Sequence, residues 1–486
     1  MLCRYLILFV TLCSSYAVMA NEWGALHSLL PKGTQLSYLV VDANKQTRLA
    51  TYEQETLRTP ASMQKLLTAT AAKLHLGSEF RYQTELTGDD KKIQHKRYKG
   101  DLRLSFVGDP TLTRDDIRQM LRALKKKGVK QIQGDFILND AHFNGYQWSN
   151  GQPWNDLGVC YTAPSHAIVV NKNCVLGNLS LSSNKAKKAT LYIPKYEPVS
   201  ITADVNVVTK EQRETQFCDL EVTRNSQNRY HLLGCMVPRK RAFGLAFAVN
   251  DPFAYSSQII LEELDDLDIK LTGDVRLESH AYQGKDKKVL ARYESPNLDE
   301  LLSIMMKESD NLIADSLFKT LGASYFQRPG NFRNGGKALK AILLEQGVDL
   351  ENAYLADGSG LSRHNLMSAE LFMAVLQFVY KNDAQLNLLS SFSIAGVDGT
   401  LQYHRALRGK QFKGKVFAKT GSVKGVANLL GVVKTPFGDR LFVLILNGYN
   451  KPLEHLKSAL PRDENASKYQ FERAFFETIL SSPNTF

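Results

Sequence analysis

Three short motifs follow one another along this chain, and each falls on a different kind of element. Ser62-Met63-Gln64-Lys65 opens a helix, Ser309-Asp310-Asn311 lies in a connector between helices, and Lys419-Thr420-Gly421 lies on a strand. A fold that gathers all three at one place has to combine helices with a sheet. Ser-x-x-Lys alone is weak, since a chain rich in serine and lysine contains it by chance. It recurs at Ser182/Lys185 and at Ser316/Lys319. Context separates the first match: Thr59-Pro60 is a helix-start signal, and Leu66, Leu67, Ala69, Ala71, Ala72 and Leu74 continue as a mostly apolar helix. Ser182 lies in a lysine-rich polar stretch, and Ser316 lies inside a helix, beyond its start.

A serine hydroxyl is a poor nucleophile until a neighbouring base takes its proton. At i and i+3, Ser62 and Lys65 share a helix face, about 5–6 Å apart at Cβ, close enough for a direct hydrogen bond. Lysine acts as a base only when its pKa falls; apolar burial and a second cation both lower it, and Lys419 is the candidate cation. The Ser62 amide, at a helix N-terminus, and the Ser422 amide are candidate oxyanion donors. Apolar periodicity at Leu298, Leu301, Leu302, Ile304 and Met305, then at Leu312, Ile313 and Leu317, makes Ser309-Asp310-Asn311 a connector. In an extended or turn conformation Ser309 and Asn311 face one cleft and Asp310 turns aside. A hydroxyl there can relay a proton, and an amide can hold a carbonyl or the lysine. Residues 416–422, 425–433 and 441–446 read as consecutive antiparallel strands separated by Gly and Pro. Lys419 and Thr420 suit a substrate carboxylate, and Gly421 lets a ligand lie against the strand.

The combination resembles the penicillin-recognising serine acyl-enzymes, the penicillin-binding proteins and serine β-lactamases. That resemblance implies an α+β fold: a penicillin-binding-protein/β-lactamase-like transpeptidase domain, an antiparallel sheet with helices. The stretch from Lys65 to Ser309 far exceeds the helical segment of a compact β-lactamase, which implies a large inserted domain. Further matches point to the D-alanyl-D-alanine carboxypeptidase/endopeptidase family, the class C low-molecular-mass penicillin-binding proteins. They are Gly108-Asp109-Pro110-Thr111-Leu112, Pro153-Trp154-Asn155-Asp156, Asp251-Pro252 and Asp357-Gly358-Ser359-Gly360-Leu361-Ser362-Arg363. By this resemblance Ser62 is the nucleophile, Lys65 the general base and Ser309 the proton relay; Asn311 and Thr420 position substrate and Lys419 holds its carboxylate. It implies release of terminal D-Ala and cleavage of D-alanyl–diaminopimelate cross-links in peptidoglycan, inhibition by β-lactams, and no cofactor. Asp156 and Arg363 match the positions for the diaminopimelate side chain, opposite charges suited to a zwitterionic end. Lys424 stands where a neutral amide is expected.

Three rivals make different demands. A β-lactamase needs a base dedicated to activating water, and no Glu lies in an identifiable loop between the first two motifs. A β-lactam sensor needs a membrane-spanning signalling segment. A wall-binding scaffold with a vestigial site is disfavoured by the intact motifs.

Residues 1–20 carry Arg4, an apolar run at 5–12 and Val18-Met19-Ala20, the pattern of a cleavable export signal ending before Asn21. Leu12 before Cys13 fits lipoprotein processing poorly. The expected location is periplasmic, with peripheral membrane contact at most. Cys160, Cys174, Cys218 and Cys235 then remain, an even number in an oxidising compartment; four cysteines allow three connectivities, and local pairing is the expectation. No C-x-x-C or H-E-x-x-H occurs, which argues against zinc. A net charge of +12 points to an anionic partner. Peptidoglycan carboxylates fit; nucleic acid does not, given export and the missing stacking motifs. The catalytic domain is expected over 21–86 and 286–486, with a hairpin at 36–42 and 48–52 and a final helix at 467–480. The insertion, 87–285, reads as two nested strand-rich subdomains, with strands at 101–107, 133–138 and 189–193 and two helical stretches at 115–127 and 255–264.

Overall fold

The computed structural model describes residues 23–183, 186–225, 227–282, 288–449 and 467–482. The expected export signal at 1–20, and Cys13 within it, lie outside the described residues. By internal contacts the chain forms two compact units. The first comprises residues up to 74, 302–310 and those from 339 on; the second comprises 75–301 and 311–338.

The first unit is built on a six-stranded antiparallel sheet that draws on both ends of the chain. Its strand order is Ser393–Ile394, Val416–Val423, Val426–Thr435, Gly438–Asn447, Gln35–Asp42 and Arg48–Tyr52. The N-terminal strand pairs along its full length with the last one, from Gln35↔Asn447 to Asp42↔Arg440. Asp42 closes the first hairpin by accepting the Asn44 and Lys45 amides at 3.0 and 2.8 Å. Its other oxygen receives Arg440 Nη1 at 2.6 Å, a buried ion pair joining the two ends of the chain.

The strand alternation decides where the site lies. Val416 and Ala418 face a core with Tyr38, Phe442 and Leu444, over which the final helix Ser467–Ser481 lays Phe471, Phe475 and Phe476. Lys419 and Gly421 point to the opposite face. There a Cβ on Gly421 would stand 2.7 Å from the Pro60 carbonyl oxygen, so only glycine lets the strand approach the turn that carries Ser62. Asn428, one strand in, ties the same turn down by donating to the Thr59 and Pro60 carbonyls at 2.9 and 3.0 Å.

The second unit contains sheets of five, four, three and three strands. Its main core packs Ile117, Leu121 and Leu124 of helix Arg114–Lys126 with Ile259, Ile260 and Leu264 of helix Pro252–Asp266. This unit extends beyond the expected 87–285 because its own pairing requires more chain. Lys288–Glu294 pairs with Gln83–Gly88 in the five-stranded sheet, and the helix Asn311–Phe326 bonds to that region through Thr320 Oγ1 and Tyr82 OH at 3.1 Å. Disulfides join Cys160 to Cys174 and Cys218 to Cys235, the local pairing expected.

Candidate active site

Ser62 sits on a single 3-10 turn, Ala61–Gln64, and Lys65 is the first residue of the α-helix Lys65–Leu76. Both residues are expected on the first α-helical turn; the serine instead lies on the 3-10 turn that leads into it. Ala61 takes a left-handed φ of 48°, an uncommon conformation for alanine that swings Ser62 out of the helix line. Lys65 Nζ donates to Ser62 Oγ at 2.9 Å and to the Ser359 carbonyl at 2.7 Å. The lysine is wholly buried, so its amine nitrogen is held by protein groups rather than by bulk water.

The Ser359 carbonyl belongs to the Asp357–Arg363 loop, whose motif marks the family in the sequence. Asp357 receives the Gly360 and Ser362 amides at 2.8 and 2.7 Å and the Asn365 side-chain amide at 2.8 Å. Gln64 Nε2 and Thr68 Oγ1 bind the Asp357 and Gly358 carbonyls at 2.7 and 2.8 Å, stitching the loop to the Ser62 turn. Gly360 has φ +84°, and a Cβ there would lie 1.9 Å from the Ala61 carbonyl oxygen. The visible signal for this role was the two glycines, which mark a loop pressed against other backbone.

Lys419 Nζ donates to Ser309 Oγ and to the Thr420 carbonyl, both at 2.9 Å. Burial first, and the charge of Lys65 second, hold its pKa well below the usual lysine range. The two lysines thus act on one another as expected, the depression falling on Lys419. Ser309 takes a left-handed φ of 61°, local strain of the kind that gathers at functional sites. Thr420 Oγ1 donates to Thr400 Oγ1 at 3.0 Å, and the Thr400 amide is held by Ser393 Oγ at 3.1 Å. Thr400 carries no motif, and nothing in the sequence marks it. Ser62, Ser309, Thr400, Thr420 and Ser422 line one cleft of about 310 Å³.

The remaining sequence candidates each have partners of their own. Ser309 and Asp310 connect the helices Leu298–Lys307 and Asn311–Phe326 as expected, while Asn311, in the second unit, is already the first residue of the second helix. Its amide donates to the Tyr161 carbonyl at 2.9 Å. Asp156, half-buried in the second unit, ends the 3-10 turn Trp154–Asp156, and its carbonyl receives Thr162 Oγ1 at 2.8 Å. Arg363, in the first unit, donates to the Lys424 carbonyl at 2.9 Å, a contact to backbone that the unexpected lysine side chain does not alter. Among the described residues no cluster of His, Cys, Asp and Glu is placed to hold a metal ion.

The antiparallel sheet, the flanking helices and two serines facing one cleft, each backed by a buried lysine, are those of the penicillin-binding-protein type of fold. Comparison narrows the class. The model of the D-Ala-D-Ala carboxypeptidase 3 (S13) family matches residues 25–468, and the chain belongs to that family. It is 38% identical to D-alanyl-D-alanine carboxypeptidase DacB of Haemophilus influenzae, over 93% of this chain and 92% of the relative. The crystal structure of penicillin binding protein 4 (dacB) from Haemophilus influenzae superposes with a TM-score of 0.87 at 37% identity, covering 95% of this chain and 99% of that one. That protein has also been solved in complex with a β-lactam, with a TM-score of 0.83 at 36% identity and the same coverage.

Proposed function

We propose that this protein is an exported serine DD-peptidase of peptidoglycan that forms an acyl-enzyme on Ser62. The observation that carries the reading is the doubled pair: Lys65 Nζ 2.9 Å from Ser62 Oγ and Lys419 Nζ 2.9 Å from Ser309 Oγ, both serines facing one cleft. The names of its Haemophilus relatives, a D-alanyl-D-alanine carboxypeptidase and a penicillin binding protein crystallised with a β-lactam, support the substrate and the inhibitor class.

In this mechanism neutral Lys65 takes the Ser62 proton as Oγ bonds to the carbonyl carbon of the penultimate D-Ala. The Ser62 and Ser422 amides receive the oxyanion that develops. As the C–N bond breaks, the leaving nitrogen gains a proton through Ser309, which Lys419 orients and whose hydroxyl recovers one from the lysines. Thr420 and Thr400 hydroxyls and Lys419 receive the carboxylate beside the scissile bond. Water then cleaves the ester and restores Ser62. Terminal D-Ala and D-alanyl–diaminopimelate cross-links are the substrates, and Asn311, Asp156 and Arg363 are substrate-positioning candidates that substitution tests one by one. The site of action is the periplasm.

Peptide mapping after labelling with penicillin G, together with mass spectrometry of muropeptides before and after incubation, tests the reading. Label confined to Ser62 and loss of terminal D-Ala are expected. Label on another serine overturns the assignment. Rapid continuous penicillin turnover without D-Ala release identifies a β-lactamase instead.

A further inference from the structure

The cleft around Ser62 is larger than its catalytic serines explain. His404, Lys468 and Glu472 line the same cavity, together with Ala427 and Leu429. Cavities from about 300 Å³ upward hold drug-sized ligands, far bigger than a released alanine. None of the three polar residues belongs to a motif.

Their arrangement is incomplete as it stands. Glu472 is 1% exposed, lies on the final helix one turn after Lys468, and is 3.9 Å from Lys468 Nζ and 3.8 Å from His404 Nε2. Both distances exceed a hydrogen bond. Glu472 Oε2 and His404 Nδ1 are buried and have no hydrogen-bond partner among the described residues. A buried polar atom left unpaired in a folded protein is unusual, and two beside a cleft call for a ligand group to complete them. Burial pushes the Glu472 carboxyl up to about 7, against the pull of Lys468, and holds His404 at about 4, with Lys468 adding to the depression. Near neutrality the imidazole is therefore uncharged, and much of Glu472 is the neutral acid.

A neutral carboxylic acid both donates and accepts, as does a neutral imidazole across its two nitrogens. Such groups match the N–H and C=O of a peptide unit. Ala427 and Leu429 suit methylene groups, and the hydroxyls of Thr400, Thr420 and Ser422 suit a carboxylate. One leaving group offers all three: a diamino acid joined through its side-chain nitrogen, with a carboxylate beside the scissile bond, a methylene chain, and then peptide. Alanine has only the carboxylate.

We propose that His404, Glu472 and Lys468 form a subsite for the peptide-bearing half of a cross-linked leaving group, favouring cross-link cleavage over release of terminal D-Ala. Glu472 and His404 bind the peptide unit, and Lys468 tunes Glu472. The proposal rests on the DD-peptidase reading. Two synthetic peptides with one acyl donor test it: the first releases D-Ala, the second releases diaminopimelate carrying a peptide. Glu472→Leu, which keeps the volume and removes both hydrogen-bonding roles, is expected to lower kcat/KM for the second peptide about tenfold more than for the first. Glu472→Gln, which still donates and accepts, is expected to retain most of the preference. His404→Leu changes a different element and is expected to repeat the selective loss. Equal losses on both peptides in Glu472→Leu and His404→Leu overturn the subsite while leaving the peptidase reading intact. A wild-type protein that cleaves neither peptide and takes no label on Ser62 overturns both.

Discussion

The chemistry of this protein turns on how three buried ionisable side chains are kept. Lys65 and Lys419 each have a serine hydroxyl and a backbone carbonyl among their partners, which keep their nitrogens ordered. Ser62→Ala is expected to abolish penicillin labelling while shifting the melting temperature little, since it removes one partly exposed hydroxyl. Lys65→Ala is expected to slow acylation far more than it weakens initial ligand binding, as follows from losing a base rather than a binding contact. Stopped-flow acylation separates the two constants, and equal losses would assign Lys65 a structural role. Glu472 makes a pH prediction. Its folded-state pKa, about 7, lies above the ordinary value of 4.5, so between those values the folded state binds the extra proton. Its contribution is fully present below about pH 4.5 and is lost as pH rises through 7, by about 3 kcal/mol across the window. Urea unfolding at pH 5 and pH 7.5 should show that loss in the wild type and a flatter profile in Glu472→Gln. The pairing of Ser62 with Lys65 was legible because i and i+3 spacing fixes it within one chain segment. The Glu472 cluster was not, because His404 and the final helix meet only through the tertiary fold.

At the scale of elements, the sequence showed which segments are helix or strand more clearly than how they close on each other. The hairpin, the three consecutive strands and the final helix all appear near their expected bounds, because alternation and apolar periodicity are local signals. The left-handed Ala61 and Ser309 carry no such signal; their conformations are imposed by the loop and strand packed against them. Gly360→Ala tests that imposition. A Cβ at 1.9 Å from the Ala61 carbonyl, at a φ of +84°, has to displace the Ser62 turn. A shift of about 1 Å at a reacting group lowers rates by roughly a hundredfold, so penicillin acylation should fall by that order. An unchanged rate would show that the loop can move without the serine. The rejected motif Ser316/Lys319 gives a second case. Lys319 is buried in the helix Asn311–Phe326, donates to the Tyr146 carbonyl at 2.9 Å and to the Ser165 carbonyl, and lies 4.3 Å from the Phe332 ring centre. It anchors both ends of the segment that carries Asp156. Lys319→Met should therefore speed amide exchange across residues 146–165, and unaltered protection there would remove the anchoring role.

Across the whole molecule, chemistry and cross-linking are assigned to different parts of the chain. Ser62, Lys65, Ser309 and Lys419 belong to the first unit, whereas all four paired cysteines belong to the second. The sequence made an insertion legible through the long interval between motifs, but not its limits, because residues 83–88 and 288–294 join its sheet only through pairing between distant strands. The disulfides close sequence separations of 14 and 17 residues. In the chain-entropy model, loops of that size stabilise the fold by about 3 kcal/mol each, by restricting the unfolded chain. Reduction acts on that restriction, so it should be felt where the loops are. Mild reduction followed by hydrogen exchange is expected to raise exchange at 160–174 and 218–235 first, while penicillin still labels Ser62 at close to its original rate. Should labelling and protection in those loops decline together on titration with reductant, the active site would depend on the second unit's cross-links, and the assignment of chemistry to the first unit alone would fall.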